Sequence, residues 1–397
     1  MLATRTRLGV ILFTVFIDLI GFGLVLPVLP YYAQRLGAQG LGFGALIGAF
    51  SLMQFVASVV LGRWSDRVGR RPVLLTSIAL GAGGYLLFGF AEAYGVLLIA
   101  RMVSGFAAGN LSVAQAYIAD VTSPAERSRG MALMGAAVGL GFIVGPALGG
   151  LAGHFGGPMG VGLLGAMLCV ANYISAAVIL TESLDTQRRT RRRLWDVAHL
   201  RRGLADPALR AAFVAFGFIP FAFSGYWVAL PLHARAAFGW SERELGWFFA
   251  VIGAVAAVVQ GYVFGRLARR ISDRWLAIAG TLGMALPIAV TPLLPVSAAL
   301  YASVFALAFA NSVAAPALAG LVSTLSDPAE QGAMLGAAQS LGALGRFSGP
   351  FVFGATYDRL GAPAAFLAAG AMMLLTGIAT LPLRPTGTPP VTIPSAP

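Results

Sequence analysis

The chain has 397 residues, 58% of them hydrophobic and only 11% charged. Soluble domains carry about a quarter charged residues, so a chain of this length solvated by water on all sides is excluded. The formal net charge of +12 comes from 27 basic residues, all of them Arg, scattered through short connectors rather than gathered on one face with aromatic platforms, which excludes a nucleic-acid binder.

Runs of roughly 20 apolar residues, the length that crosses a bilayer, lie at 8–32, 41–62, 72–92, 95–119, 129–153 and 158–181, then at 209–235, 242–265, 273–294, 296–322, 330–357 and 361–383. The chain is therefore expected to be an all-α membrane protein with twelve transmembrane helices. Arg5 and Arg7 imitate the start of a signal peptide, but Asp18, Pro27 and Pro30 in the following run and the want of a cleavage site mark a retained first helix. With both termini in the cytoplasm, 21 of the 27 Arg face that side, the asymmetry of a multi-pass plasma-membrane protein. The expected units are a six-helix bundle over 1–181, a charged cytoplasmic linker over 182–208, a second six-helix bundle over 209–383, and a Pro-rich, disordered cytoplasmic tail over 384–397.

In span 1, Asp18 opens the stretch D-L-I-G-F-G-L-V-L-P-V-L-P and shares a helical face with Gly21, Phe22 and Val25. A carboxylate this deep is costly unless it is neutral, paired or facing water. Asp18 is thus either a proton-coupling group or a structural acid bonded to nearby backbone. The connector after span 2 reads G-R-W-S-D-R-V-G-R-R-P, from Gly62 to Pro72. Gly62 and Gly69 permit a tight turn, and Asp66 among Arg67, Arg70 and Arg71 makes a charge cluster at the membrane surface. Asp120, which closes span 4, is placed to pair with Arg70 or Arg71.

Span 4 carries Arg101, Gly105, Ala108, Ser112 and Gln115 in one small, partly polar stripe suited to a cavity wall. Arg101 either faces that cavity or snorkels to the outer interface. Span 5 holds Gly141-x-x-x-Gly145-Pro146-x-x-Gly149-Gly150, where small residues four apart let helices approach and the Pro bends the helix. In span 7, Phe218, Phe221, Phe223, Tyr226 and Trp227 either line an amphipathic pocket or pack between helices. Arg346 lies near the middle of span 11, three residues before Gly349-Pro350. A guanidinium there needs a carboxylate, carbonyls or water. It binds a polar or anionic substrate group, pairs with Asp18 across the halves, or caps carbonyls at the Pro bend. The amides Gln54, Asn110, Gln115, Asn172, Gln260, Asn311 and Gln339 are each a candidate substrate contact or a helix–helix bond.

The halves echo each other. Pro124-Ala125-Glu126 recurs as Pro328-Ala329-Glu330 and Gly145-Pro146 as Gly349-Pro350, both 204 positions on. Gly62, Arg67 and Arg70-Arg71 recur as Gly261, Arg266 and Arg269-Arg270, 199 positions on, with Gly265 where the first copy has Asp66. A fixed offset through several helices suggests a duplicated six-helix unit. Transporters built from two such halves bind substrate between them near the bilayer midplane.

The loop at Gly62–Pro72, with the phrases IDLIGFGLVLPVLP, LGRWSDRVGRRPVLL, AQAYIADVT and GPALGGLAG, resembles the major facilitator superfamily over essentially the whole chain, and within it the tetracycline-exporter-like drug:proton antiporters. The resemblance implies two pseudo-symmetric six-helix bundles that work as a monomer by alternating access. It implies proton coupling through Asp18 and Arg101. It implies a conformational latch of Gly62, Asp66, Arg67, Gly69, Arg70, Arg71 and Asp120, in which Asp66 engages the N-terminus of span 11. It also implies an antiporter motif of Gly141, Gly145, Pro146, Gly149 and Gly150. Substrate contacts are expected from Arg346, Gln54, Asn110, Gln115, Gln260, Asn311, Gln339, Phe221, Tyr226 and Trp227. The chain departs from tetracycline exporters at Gly84, where they carry an acid before the Tyr; its span 8 has no His, and its span 9 has no acid beyond Asp273 at the first position. Tetracycline itself is therefore not the expected substrate.

The expected function is proton-driven export of a hydrophobic or amphipathic small molecule, with that substrate, protons and the lipid bilayer as partners and no nucleic acid. The alternative is an uptake symporter or facilitator for a polar or anionic metabolite, favoured if Arg346 reads an anion. An enzyme is not expected, because the three His are scattered without metal-ligand spacing to acids. No cofactor and no metal are expected; a chain without Lys has no phosphate loop for ATP, and the single Cys169 leaves no disulfide.

Overall fold

The computed structural model describes residues 2–123, 126–184, 197–327 and 330–383. Among them the regular structure is entirely helical, and ten helices are long and apolar enough to cross a membrane. In the first half the helices are α1 (Leu2–Val25), the short α2 (Leu29–Arg35), which is not one of the ten, α3 (Gly40–Val68), α4 (Arg70–Gly89), α5 (Tyr94–Ala107) and α7 (Arg127–Ile179). A 3-10 turn at Ala108–Asn110 carries α5 on into α6 (Leu111–Val121). In the second half they are α8 (Val197–Ala205), α9 (Pro207–Phe238), α10 (Glu242–Val258), α12 (Asp273–Val290), α13 (Ser297–Leu325) and α14 (Gln331–Thr380). A π-helical turn at Val259–Val263 carries α10 into α11 (Phe264–Ala268).

The long runs α7 and α14, of 53 and 50 residues, each break at a glycine. Gly157 (φ 57°) precedes Pro158, and Gly361 (φ 81°) stands two residues before Pro363. Glycine enters positive φ without a Cβ clash, and proline starts a helix but cannot continue one. A Cβ on Gly160 would lie 2.8 Å from the Ala152 carbonyl oxygen, so the chain doubles back at the first break. The apolar runs 129–153 and 158–181 thus flank the break in α7, and 330–357 and 361–383 flank that in α14.

One expected span is corrected, and the linker and one boundary gain detail. The run 8–32 is not one helix: α1 stops at Val25, and a turn through Pro27 leads into α2, because proline supplies no amide to the preceding turn. The linker 182–208 is not uniform. Its last part folds as α8, packed on α9 and α14, while 185–196 lies outside the described residues, as does the tail 384–397. Finally, α9 begins at Pro207, where Asp206 accepts a hydrogen bond from the Ala208 amide at 2.8 Å and caps the helix.

Buried apolar side chains form two clusters. One gathers Ile11, Leu46, Leu74, Phe88 and Tyr117 of the first half, and the other Phe213, Tyr226, Phe248, Leu300 and Phe366 of the second. Two seams join them, α3 along α14 and α7 along α10. The backbones nearly touch there: a Cβ on Gly44 would lie 2.1 Å from the Pro350 oxygen, and one on Gly246 2.6 Å from the Pro146 oxygen. Lipid tails give bulky helix faces no reason to associate, so close approach over small residues supplies the attraction. These contacts gather toward the face distal to the Arg-rich connectors.

Candidate functional site

Two cavities gather polar side chains from several helices. The larger, of about 340 Å³, lies on the α3–α14 seam. Gln54 and Ser58 of α3, Ser112 and Gln115 of α6, and Gln339, Ser340 and Arg346 of α14 line it. Along α3 and α6 these residues recur at three- or four-residue steps, and Gly336, Gln339, Ala343 and Arg346 do the same on α14, so one face of each helix lies on the seam. Arg346 is the one charged residue in this lining. Among the described residues it forms no ion pair, so the expected alternative of a bond to Asp18 does not form.

Asp18 is instead held in the smaller cavity, about 40 Å³, inside the first cluster, a space on the scale of one or two waters. Asn110 Nδ2 donates to Asp18 Oδ2 at 2.7 Å. Ser77, Tyr85, Arg101, Ser104 and Cys169 share this wall. Arg101 does not snorkel: it is 4% exposed, and its guanidinium carbon lies 4.3 Å from the Phe50 ring centroid. The cause is the approach of α5 to α3, where a Cβ on Gly105 would stand 2.4 Å from the Phe50 oxygen. That packing traps the guanidinium beneath the ring, a cation–π arrangement. Its Nε finds no hydrogen-bond partner among the described residues. Ala108 lines both cavities, so the 3-10 turn Ala108–Asn110 is the partition between them. Gly84, the position where an acid was missed, is closed in: a Cβ there would lie 2.6 Å from Ser104 Oγ.

Several expected substrate contacts lie outside both linings. Tyr226 is packed against Phe366, Trp227 stacks on Phe249 with centroids 4.9 Å apart, and Phe221 meets Phe353 at 5.4 Å. They serve the second core because the face of α9 that carries them turns toward α10 and α14, the packing reading of span 7. Gln260 is exposed on the π-helical turn, and Asn311 on α13 touches neither cavity. Conversely, Ser51, Ser58, Ser340 and Ser104 enter the walls unannounced, since a single serine in an apolar run has no periodic signature.

At the end of α3, Asp66 Oδ1 pairs with Arg70 Nη1 at 2.7 Å, and Arg70 Nε reaches Asp120 at 3.2 Å. Gly69, at φ 119°, makes the turn into α4. Glu182, assigned only to the linker, accepts from the Arg70 and Arg71 amides at 2.8 and 3.2 Å and caps α4. Arg71 also donates to the Ala177 carbonyl at 2.7 Å. Gly62 packs loosely near Ser112, and Arg67 is exposed. In α7, a Cβ on Gly141, Gly145 or Gly149 would strike Leu19, Ile20 or Leu24 of α1, at 2.5, 2.7 and 2.1 Å. Gly150 meets Glu242 and Gly246 of α10 instead. The motif that includes Pro146 therefore packs α7 on both sides at once.

A multi-pass helical protein with two cores sharing a polar cavity has the form of a membrane transporter. The Major Facilitator Superfamily profile matches residues 11–223 and 212–396, and the chain belongs to this family of transporters. It is 31% identical to the class D tetracycline resistance protein of Salmonella ordonez over 346 residues, covering 85% of this chain and 86% of that one. It is 27% identical to multidrug resistance protein 2 of Bacillus subtilis (strain 168), covering 94% and 93%. The crystal structure of the human organic anion transporter MFSD10 matches with a TM-score of 0.70 at 25% identity, covering 95% of this chain and 99% of that one.

Proposed function

We propose that the protein exports a hydrophobic or amphipathic small molecule in exchange for protons, by alternating access. The observation that carries this reading is the segregation of Asp18 in a small cavity of its own, beside but not within the larger seam cavity. A group that only bound substrate would belong in the larger space; one that only built the fold would not need a polar chamber. Asn110 stabilises the ionised carboxylate by a charge-assisted bond, and Arg101 supplies positive charge to the same chamber. Protonation removes the need for both, and the partition at Ala108–Asn110 is the route by which the substrate cavity senses the change. Resemblance to tetracycline and multidrug resistance proteins supports export.

The same reading takes α7 and α14 as two spans each, giving twelve spans in two pseudo-symmetric six-helix bundles over 1–181 and 209–383. The two hydrophobic clusters support that division. It places both termini in the cytoplasm and the protein in the plasma membrane as a monomer without enzymatic activity.

One observation favours a second reading. Arg346 is the one charged group in the lining of the seam cavity, and such a site suits an anionic or polar metabolite, carried inward. The organic-anion relative is consistent with that charge preference.

The test is proton movement in everted, respiring vesicles challenged with lipophilic cations, macrocycles, phenicols and tetracyclines. Export predicts that a compound collapses the pH gradient only with wild-type protein, and not with Asp18→Asn. No response to any compound, with uptake of an organic anion by whole cells, would replace export with the second reading.

A further inference from the structure

The Gly40 end of α3 begins without a cap of its own. Gln39 at the cap position makes no side-chain bond, and the first turn carries no acid. The first amides of a helix have no partner within it, yet here two are satisfied from across the molecule. Gly40 N and Leu41 N donate to the two carboxylate oxygens of Asp358, each at 2.7 Å, from 318 and 317 residues away. Asp358 closes the first segment of α14, just before the break at Gly361. It therefore ties the second core to the first at the face away from the Arg-rich connectors.

A carboxylate at a helix N-terminus gains both the hydrogen bonds and the positive end of the helix dipole. The fit is close: a Cβ on Gly40 would lie 2.6 Å from the Gly354 oxygen and 2.8 Å from Asp358 Oδ1, while one on Gly354 would lie 2.3 Å from the Gly40 oxygen. A second bond crosses the same face on the other seam, from Arg35 of α2 to Glu242 of α10 at 3.2 Å. That seam has no counterpart of the Asp358 cap. The residue 204 positions before Asp358 is His154, and α10 is capped locally by Ser241 and Glu244.

We infer that Asp358 is a distal-face latch, which holds the two halves together there while the seam cavity is open toward the Arg-rich end. Helix α3 and the segment of α14 before Gly361 run antiparallel, and each carries an acid near its C-terminal end: Asp358 at Gly40, and Asp66 at the opposite, Arg-rich end of the seam. In this structure the first acid holds the helix across the seam, and the second is turned back onto Arg70 within its own half. The pair forms a two-ended device in which one acid is engaged at a time. The latch rests on alternating access but not on proton coupling or on the direction of flux.

The experiment uses full-length protein with Cys169→Ser in lipid nanodiscs and double electron–electron resonance. Spin labels at Phe155→Cys and Leu293→Cys, both exposed and one in each half, report the distal face. Labels at Arg129→Cys and Arg210→Cys report the Arg-rich face. Wild type is expected to show two distances at each face, with the distal-closed population dominant. Asp358→Ala and Asp358→Asn are expected to raise the distal-open population about tenfold, the worth of one charge-assisted hydrogen bond, and to shorten the Arg-rich distances. Gly40→Ala, which leaves the carboxylate intact, is expected to shift both faces in the same sense, and Asp358→Glu to restore part of the closed state. Two populations in wild type with ratios unmoved by Asp358→Ala and Gly40→Ala would overturn the latch and leave alternating access standing. One distance per face in wild type and every variant would overturn both.

Discussion

Asp18 and Arg101 stand on different helices yet line one small chamber, and this decides what their substitution should do. Asp18→Asn keeps the shape of the side chain and an oxygen for Asn110, but removes the group that can take up and release a proton. Coupled transport is expected to vanish while membrane insertion and yield remain; unchanged proton-driven flux would take Asp18 out of the mechanism. Arg346 makes the complementary case in the larger cavity. A guanidinium that reads a substrate oxygen contributes about 1.5–3 kcal/mol through charge-assisted bonds, so Arg346→Ala should cost at least tenfold in apparent affinity for substrates carrying that group and little for those without it. Arg346→Lys should recover part of the loss. An equal loss for every compound would assign Arg346 to the fold.

At the scale of helices, close packing does the work that an apolar core does in water. Gly149 has the Leu24 carbonyl oxygen where its Cβ would be, at 2.1 Å, and backbone cannot move aside as a flexible side chain can. Gly149→Val is expected to destabilise the protein by about 1–3 kcal/mol, read as a lower thermal midpoint in detergent. Gly135 lies on the same helix with nothing within 4 Å of its Cβ position. Gly135→Ala should instead stabilise by about 0.5–1 kcal/mol by removing helix-interior glycine. Equal midpoints for the two variants would show that the contact with α1 is not what the motif supplies. The loop between α3 and α4 is tied differently, by Asp66–Arg70–Asp120 and by the Glu182 cap. Asp66→Asn should slow turnover with substrate affinity largely kept; unchanged turnover would reduce the loop to a topological signal.

For the whole molecule, orientation is the property on which the direction of proton flow depends. Cys169 is buried, so the native protein should resist a membrane-impermeant maleimide, giving a clean background. Phe155→Cys, 84% exposed near the Gly157 break, should label from outside intact cells. Arg129→Cys should label only in everted vesicles. The reverse pattern would invert the proposed topology and with it the sense of export.

The sequence alone determined the class of molecule and the apolar runs that its long helices follow, because crossing a bilayer demands such runs and each is visible locally. It also marked Asp18, Arg101 and Arg346, since a charge inside an apolar run stands out wherever the helix turns. Tertiary structure decided which of these meet. Gln54, Gln115, Gln339 and Arg346 share a cavity while Gln260, Tyr226 and Trp227 do not, and Asn110 serves Asp18 rather than the larger space. Which way each helix face turns follows from packing against neighbours distant in the chain. Asp358 shows the limit most plainly: in sequence it is one more acid at the end of a span, and only the antiparallel run of α3 beside α14 brings it to the bare amides of Gly40 and Leu41.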